Sequence, residues 1–330
     1  MQRILQLLGL LALFTSAPAA IAWDSTGHRV TAAIALQFIS DEKQSLLLEL
    51  LGQHPRFDED FLDAMPDFIA RGTTATRQEW LLGQAAFWPD IARGIPQPAR
   101  DRYNHPSWHF TDGAWVRGAA LSQGNIYMGI AGFPDIQGEE AVTIREESMV
   151  HNVITALDYN ARVLRDADRP AADRAVALCW LLHLVGDIHQ PLHTGALFSA
   201  TVLEEGDRGG NGIPTDDGTL HARWDRALRD DGIRDSVARV LAQITSAGRP
   251  RIQGVESDWT EWMSESRQIL QSAVYSEVMK TEIAAADRLQ REIGLSSLSE
   301  SYITQMKRIS QQRLGLAGLR LAIWFENELN

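Results

Sequence analysis

A single cysteine, Cys179, stands in this chain of 330 residues. One thiol excludes an intramolecular disulfide, a Cys-x-x-Cys redox couple and a thiolate metal cage. Any metal must therefore be held by nitrogen and oxygen. Positive charge is also scarce, with 31 Lys and Arg against 43 Asp and Glu and a formal net charge of −12. Counterion release needs cations, so this balance excludes a binder that tracks nucleic acid or a membrane surface with its own lysines and arginines. No Asn-x-Ser/Thr acceptor, internal repeat or low-complexity tract occurs, and runs of alternating β-branched residues are few. The length suffices to bury a sizeable core in one large domain or two smaller ones.

Long apolar runs are missing everywhere except at the start. Arg3 precedes an apolar stretch from Ile4 to Phe14, and Ala20-Ile21-Ala22 follows as an Ala-x-Ala cleavage site, the pattern of a secretory leader. The stretch is shorter than the roughly 20 residues of a bilayer span, which disfavours an uncleaved anchor. Removal of residues 1–22 makes Trp23 the first residue of a secreted or periplasmic domain over 23–330, with no membrane contact thereafter. Loss of Arg3 takes the formal charge from −12 to −13.

Helical periodicity dominates the remainder. It predicts helices over His28 to Ile39, from Asp41 after Ser40 to Leu51, over Glu140 to Leu164 and over Ala171 to Gly186. Ser297-Leu298-Ser299-Glu300 reads as a capping box opening a last helix to about Asn327. Gly and Pro mark irregular segments at 94–106, 129–138, 195–219 and 245–256. The expected class is one all-α domain with ordered loops.

Two ligands at i and i+4 on a helix can reach one metal ion, and His183/Asp187 and His221/Asp225 have that spacing on helical stretches. A third pair, His54/Asp58, contains Pro55 and reads as a solvated loop. The block from His183 to His193 holds His183, Asp187, His189 and His193 within eleven residues, for which ligation is a better explanation than three structural histidines.

At this point the chain resembles the zinc-dependent single-strand-specific nucleases secreted by fungi, plants and some bacteria, which share a fold with zinc-dependent phospholipases C. The matching pieces run in order: Trp23-Asp24-Ser25-Thr26-Gly27-His28, Phe87-Trp88-Pro89-Asp90-Ile91-Ala92-Arg93, Trp108-His109-Phe110-Thr111-Asp112, the His183 to His193 block, Gly206-Asp207-Arg208-Gly209-Gly210-Asn211 and His221-Ala222-Arg223-Trp224-Asp225. The resemblance implies a helical fold around a trinuclear zinc cleft. Asp90, His109, His183 and Asp187 would hold one ion. Trp23, through its α-amino nitrogen and carbonyl oxygen, would hold a second with His28 and a shared Asp187. His193, His221 and Asp225 would hold a third. An amine and its own carbonyl form a five-membered chelate only after leader removal, so export and metal assembly would be coupled. An ordinary buried aromatic is the alternative for Trp23.

The implied activity is endonucleolytic hydrolysis of single-stranded DNA and RNA to 5′-phosphorylated products, with 3′-nucleotidase action as a companion; no stable protein partner is implied. Paired zinc ions lower the pKa of a shared water and neutralise a phosphodiester, and a third with open positions takes the charge of the leaving oxygen. Asp90 and Asp187 would organise that chemistry. Arg93 would neutralise phosphate, unless it is simply solvent-exposed. Phe110 would stack on an unpaired base or else pack in the core, Asp112 would accept from exocyclic amines, and Asn211 would contact substrate. His54, His105 and His151 fit no ligand spacing and are expected to be solvated or satisfied in the core, and His189 is skipped by the family pattern and expected to back the ligands. Trp88, Trp108 and Trp224 are expected to pack around the site.

The intervals between Trp23 and Asp90, Asp90 and His109, and His109 and His183 exceed the family pattern. They read as loop insertions bearing on substrate size, and the family's usual disulfides are absent. The competing readings are a zinc-dependent phospholipase C, whose last ligand is Glu where this chain has Asp225, and a non-catalytic exported zinc-binding protein. Adding one residue before Trp23 of the mature chain is expected to displace the α-amino ligand and reduce nuclease activity sharply. Full activity of the extended protein would remove Trp23 from the ligand set.

Overall fold

The computed structural model describes residues 23–111, 115–116, 119–120, 125–129, 147–246 and 258–329. The expected leader over 1–22 and Asp112 lie outside them. Twelve α-helical segments occur among the described residues: α1 (Ser25–Leu36), α2 (Asp41–Leu51), the single turn α3 (Asp67–Ala70), α4 (Thr74–Ile91), the short α5 (Ala99–Tyr103), α6 (Val153–Arg165), α7 (Ala171–Ile188), α8 (Leu220–Asp225), α9 (Ile233–Ser246), α10 (Trp259–Ile269), α11 (Glu277–Leu289) and α12 (Glu300–Glu328). Strands are two or three residues long. Two antiparallel hairpins, β1 (Trp115–Val116) with β2 (Ala119–Ala120) and β5 (Pro214–Thr215) with β6 (Gly218–Thr219), and one parallel pair, β3 (Ile126–Met128) with β4 (Leu197–Ser199), pin loops together. The all-α expectation holds. No described helix is long and apolar enough to cross a membrane.

Local capping explains where the helices depart from the periodicity. Asp24 accepts from the backbone N–H of Thr26 and Gly27 at 3.0 and 3.2 Å, so α1 starts at Ser25, ahead of the expected His28. The helix expected over Glu140 to Leu164 is shorter than predicted. Asn152 and Thr155 form a reciprocal capping box that starts α6 at Val153, Glu147–Met149 forms a separate 3-10 turn, and residues 140–146 lie outside the described set. Ser299, not Ser297, caps α12 by accepting from Tyr302 N–H at 3.2 Å. Helices α4, α9, α10 and α11 are not among the expected ones. In α4 the reason is burial, since Leu82 to Ala86, Trp88 and Pro89 are all buried and the one-sided apolar stripe is lost. The interval from Trp23 to Asp90 is consequently built largely of helices and is not the loop insertion its length suggested.

Two buried clusters fill the interior, and α1 and α12 serve both. Ala32 and Ala35 of α1 join Trp88, Leu157, Leu178 and Leu184 in one, while Val30 and Ile34 join Trp23, Trp224, Leu314 and Leu319 in the other. The crossing of α1 and α12 is close because Gly318 has no side chain; a Cβ there would lie 2.6 Å from Ile34 Cβ. Cys179 is buried in α7. His54 corrects the solvated-loop expectation: it is buried with its ring 4.3 Å from that of Trp88, whereas Asp58 is exposed.

Asp287 of α11 organises the turn after β4. Its carboxylate accepts from Ser199 Oγ, Thr201 Oγ1 and the backbone N–H of Ala200, Thr201 and Val202 at 2.9 to 3.1 Å. Burial alone would raise its pKa, but these bonds outweigh burial and hold it below the ordinary value. A depressed folded pKa means that the stabilisation is present above the unfolded value of about 3.9 and lost as pH falls through the folded one. Asp287→Ala is expected to cost about 2 kcal/mol at neutral pH, measured by urea unfolding, with the gap from the parent protein closing as pH falls below the unfolded carboxylate value and through the lower folded one.

Candidate metal centre

Six separate pieces of chain converge on one buried volume. Helix α1 delivers His28, the end of α4 delivers Asp90, and a 3-10 turn over Pro106–His109 ends on His109. Helix α7 places His183 and Asp187 one turn apart on the same face, a second 3-10 turn over Pro191–His193 supplies His193, and α8 carries His221 and Asp225. Asp187 is the centre: one oxygen lies 3.2 Å from both His109 Nδ1 and His183 Nε2, the other 3.5 Å from His28 Nε2 and 3.8 Å from His193 Nδ1. His221 Nε2 approaches Asp225 at 3.2 Å, and the rings of His28 and His183 stack at 3.8 Å. A Cβ at Gly186 would lie 2.9 Å from His28 Nδ1, so the bare glycine lets α1 and α7 meet here.

Backbone carbonyls fix the rings. His183, His193 and His221 each donate from Nδ1 to a carbonyl, of Ala86 at 2.8 Å, His109 at 2.7 Å and Gly209 at 2.6 Å, which in a neutral imidazole leaves the Nε2 lone pair facing inward. Gly209 has φ +59°, and a Cβ on it would sit 2.2 Å from Leu192 O, so this carbonyl is available only with glycine. The inward atoms are orphans: His28 Nδ1 and Nε2, Asp90 Oδ2, His109 Nε2, Asp187 Oδ1 and His193 Nε2 are buried without a hydrogen-bond partner, and Asp90 Oδ1 meets only the Arg93 guanidinium, at 2.9 Å. Each orphan costs about 1–3 kcal/mol, and so many lone pairs in one place fit a cation that accepts them.

Electrostatics points the same way. Burial first, then the neighbouring imidazoles and Arg93, hold His28, His109 and His193 well below the usual imidazole range, and burial takes His183 down to about 4. Burial pushes Asp90 up to about 6 and raises Asp187 and Asp225 as well. The imidazoles are thus neutral, the form that ligates, and burial outweighs the Arg93 charge that would favour ionisation of the carboxylates. By distance, three groups offer atoms within 4.8 Å of one another: His28, Asp90 and His183; His109, His183 and Asp187; and His193, His221 and Asp225. Neutral nitrogen with carboxylate oxygen is a donor set that suits zinc.

The S1/P1 Nuclease family model matches residues 23–330. The chain belongs to the S1/P1 nuclease family. Nuclease S1 of Aspergillus oryzae (strain ATCC 42149 / RIB 40) is 29% identical over 185 residues, 52% of this chain and 61% of the relative. Endonuclease 5 and Endonuclease 4 of Arabidopsis thaliana are 28% and 29% identical over 152 and 156 residues, in each case 44% of this chain and 48% of the relative. The chain thus spans about half to three fifths of the curated relatives that it matches.

The remaining residues singled out in this S1/P1 nuclease sequence fall into two groups. Trp23 is buried beside the cluster, its indole donating to Gly186 O at 2.9 Å and Asp24 N–H donating to Asp225 O at 3.2 Å. Arg93 is not a solvated arginine; it pairs with Asp90 at 2.9 Å with its side chain 17% exposed. Phe110 is half-buried, and Asn211 lines a cavity of about 880 Å³ together with Arg208. Trp88, Trp108 and Trp224 are buried as expected, and His151 is exposed. His105 stacks on Trp108 at 3.9 Å, outside the cluster. His189 is buried behind it, with Nδ1 on Val185 O at 2.7 Å and Nε2 on Arg320 at 2.8 Å.

Two supports escaped the sequence reading. Gln190 is wholly buried, donating from Nε2 to Asp225 Oδ1 at 2.8 Å and accepting from Leu192 N–H at 2.6 Å. Arg313 and Arg320 share Glu265 at 2.9 and 2.7 Å, and Arg313 also donates to His189 O and Ser266 Oγ at 3.2 and 2.8 Å. The position of Gln190 inside the histidine block was its one available signal, whereas the arginines lie more than a hundred residues downstream. Gln190→Leu is expected to weaken zinc affinity about 10- to 100-fold, measured by competition with a fluorescent chelator. Unchanged affinity would show that Gln190 supports the loop and not the ligand.

Proposed function

We propose that this family member is an exported zinc-dependent endonuclease that hydrolyses phosphodiester bonds of single-stranded DNA and RNA, leaves 5′-phosphorylated products and also acts as a 3′-nucleotidase. The observation that carries the reading is the convergence of four imidazoles on the buried Asp187 carboxylate, ringed by orphaned donor atoms. Three zinc ions per chain would be held as the resemblance implies: by Asp90, His109, His183 and Asp187; by Trp23, His28 and Asp187; and by His193, His221 and Asp225. The distance groupings His109, His183 and Asp187 and His193, His221 and Asp225 support the first and third sets, and a grouping of His28 with Asp90 and His183 offers a different partition for the second. That second arrangement is the natural alternative for the metal-free geometry.

Zinc bound at these residues would supply an activated water near neutral pH and neutralise phosphate charge. The rest falls to the chain itself. Arg93, tethered by Asp90, offers a guanidinium to a phosphate oxygen. Phe110 keeps part of its ring accessible for an unpaired base to stack on, and Asp112 and Asn211 would accept from and donate to base edges. Duplex is rejected because a paired base cannot splay onto such a ring. Trp88, Trp108 and Trp224 keep water away from the ligand side chains.

Digestion of single-stranded DNA and RNA, with duplex as control and 5′-mononucleotides scored, is expected before chelation, to vanish after complete zinc removal and to return with zinc, at three ions per mature molecule. Unchanged digestion without metal would sink the mechanism. Phosphatidylcholine cleavage without nucleic-acid digestion would identify a phospholipase C instead, and absence of both a zinc-binding protein.

A further inference from the structure

Helices α1, α3, α4 and α9 enclose a cavity of about 570 Å³ that shares no residue with the His/Asp cluster. That volume lies within the roughly 300–1,000 Å³ of small-molecule sites. Its lining is largely apolar, with Trp80 and Val237 inside and Phe68 at the rim, 76% exposed. Three ionisable side chains line it, Arg29, Arg234 and Glu79, so the cavity carries a net positive charge on a protein of net charge −12.

Arg29 is the unusual member. It follows His28 on α1, and its stem crosses α4 at Gly83, where a Cβ would lie 3.3 Å from Arg29 Cγ. The guanidinium donates to Gln84 Oε1 and lies over the Trp80 ring at 5.3 Å. No carboxylate among the described residues comes within 4.0 Å of it. The half-buried cation is thus held against an aromatic and an amide, with no anion beside it. An uncompensated cation in an apolar recess matches one ligand chemistry, a single negative charge joined to an apolar body.

We propose that this cavity binds an amphipathic monoanion, with its carboxylate or phosphate-type headgroup on Arg29 and its apolar body against Trp80, Val237 and Phe68. The site stands apart from the metal centre and does not rest on the nuclease reading. Bound anion satisfies the guanidinium, and the apolar body covers Phe68, whose exposure otherwise costs solvation.

Calorimetric titration of the zinc-loaded protein tests this with decanoate, decylphosphonate and the neutral decan-1-ol. One of the two anions is expected to bind one per chain and at least tenfold tighter than the alcohol, and the tighter of the two identifies the headgroup. Arg29→Leu is expected to remove that preference while leaving the weak binding of the alcohol unchanged. Glu79→Gln, an exposed rim change that decides the matter if Arg29→Leu does not fold, is expected to tighten anion binding at least twofold. Anion affinity unchanged in the variants would place the binding at the metal centre and overturn the proposal. So would a dimer that Phe68→Ser dissociates, which would give the cavity to a second copy of the chain.

Discussion

The buried Asp187 carboxylate, encircled by four neutral imidazoles, is the constraint on which the rest of the structure turns. Moving such a charge out of water costs several kcal/mol unless a cation or strong donors replace the water. Of these rings, His183 and His193 hold their Nδ1 protons on the carbonyls of Ala86 and His109, as His221 beside Asp225 does on Gly209 O, so their Nε2 lone pairs remain for the site. The protein therefore carries unfavourable local electrostatics that bound dications would reverse, which would couple folding to metal loading.

Much of the surrounding architecture serves to hold that arrangement still. Helix α7 sets the His183/Asp187 spacing, α1 is pressed onto it through the bare Gly186, and α12 closes the back of α1 at Gly318. Behind the histidine block, Glu265 is clamped by Arg313 and Arg320, which in turn bond His189, while Ser266 Oγ donates to Ile188 O at 2.6 Å. These buried ionic contacts are fully partnered, and so they orient the segment from Asp187 to His193 without adding orphans of their own. With no disulfide possible, packing and polar networks carry the rigidity that the site requires.

The acidic balance acquires a specific meaning in this setting. A net charge of −12 repels a polyanion from most of the surface, so attraction must come from places where positive charge is concentrated. The metal centre is one, where dications would outweigh their three carboxylates and Arg93 adds a fixed charge. The Arg29 recess is another, largely apolar, reached from the residue next to His28 on α1.

What the sequence determined by itself was the chemistry of the donors and the helices that carry them. Spacing of four on α7 and α8, a dense histidine block and a single cysteine pointed to a nitrogen-and-oxygen donor set in a helical protein, because i and i+4 side chains share a face whatever the tertiary setting. The family resemblance then linked His28, Asp90 and His109 to that donor set. Tertiary structure alone decided the rest. Asn152 and Asp24 reset helix starts that periodicity misplaced, since caps act through single hydrogen bonds that an apolar pattern does not register. His54 proved buried against Trp88 because its neighbours come from another helix. Gln190, Arg313 and Arg320 took supporting roles, and Arg29 an unpaired one, for the same reason: whether a polar side chain finds a partner depends on residues far away in the chain, and only packing brings them within hydrogen-bonding reach.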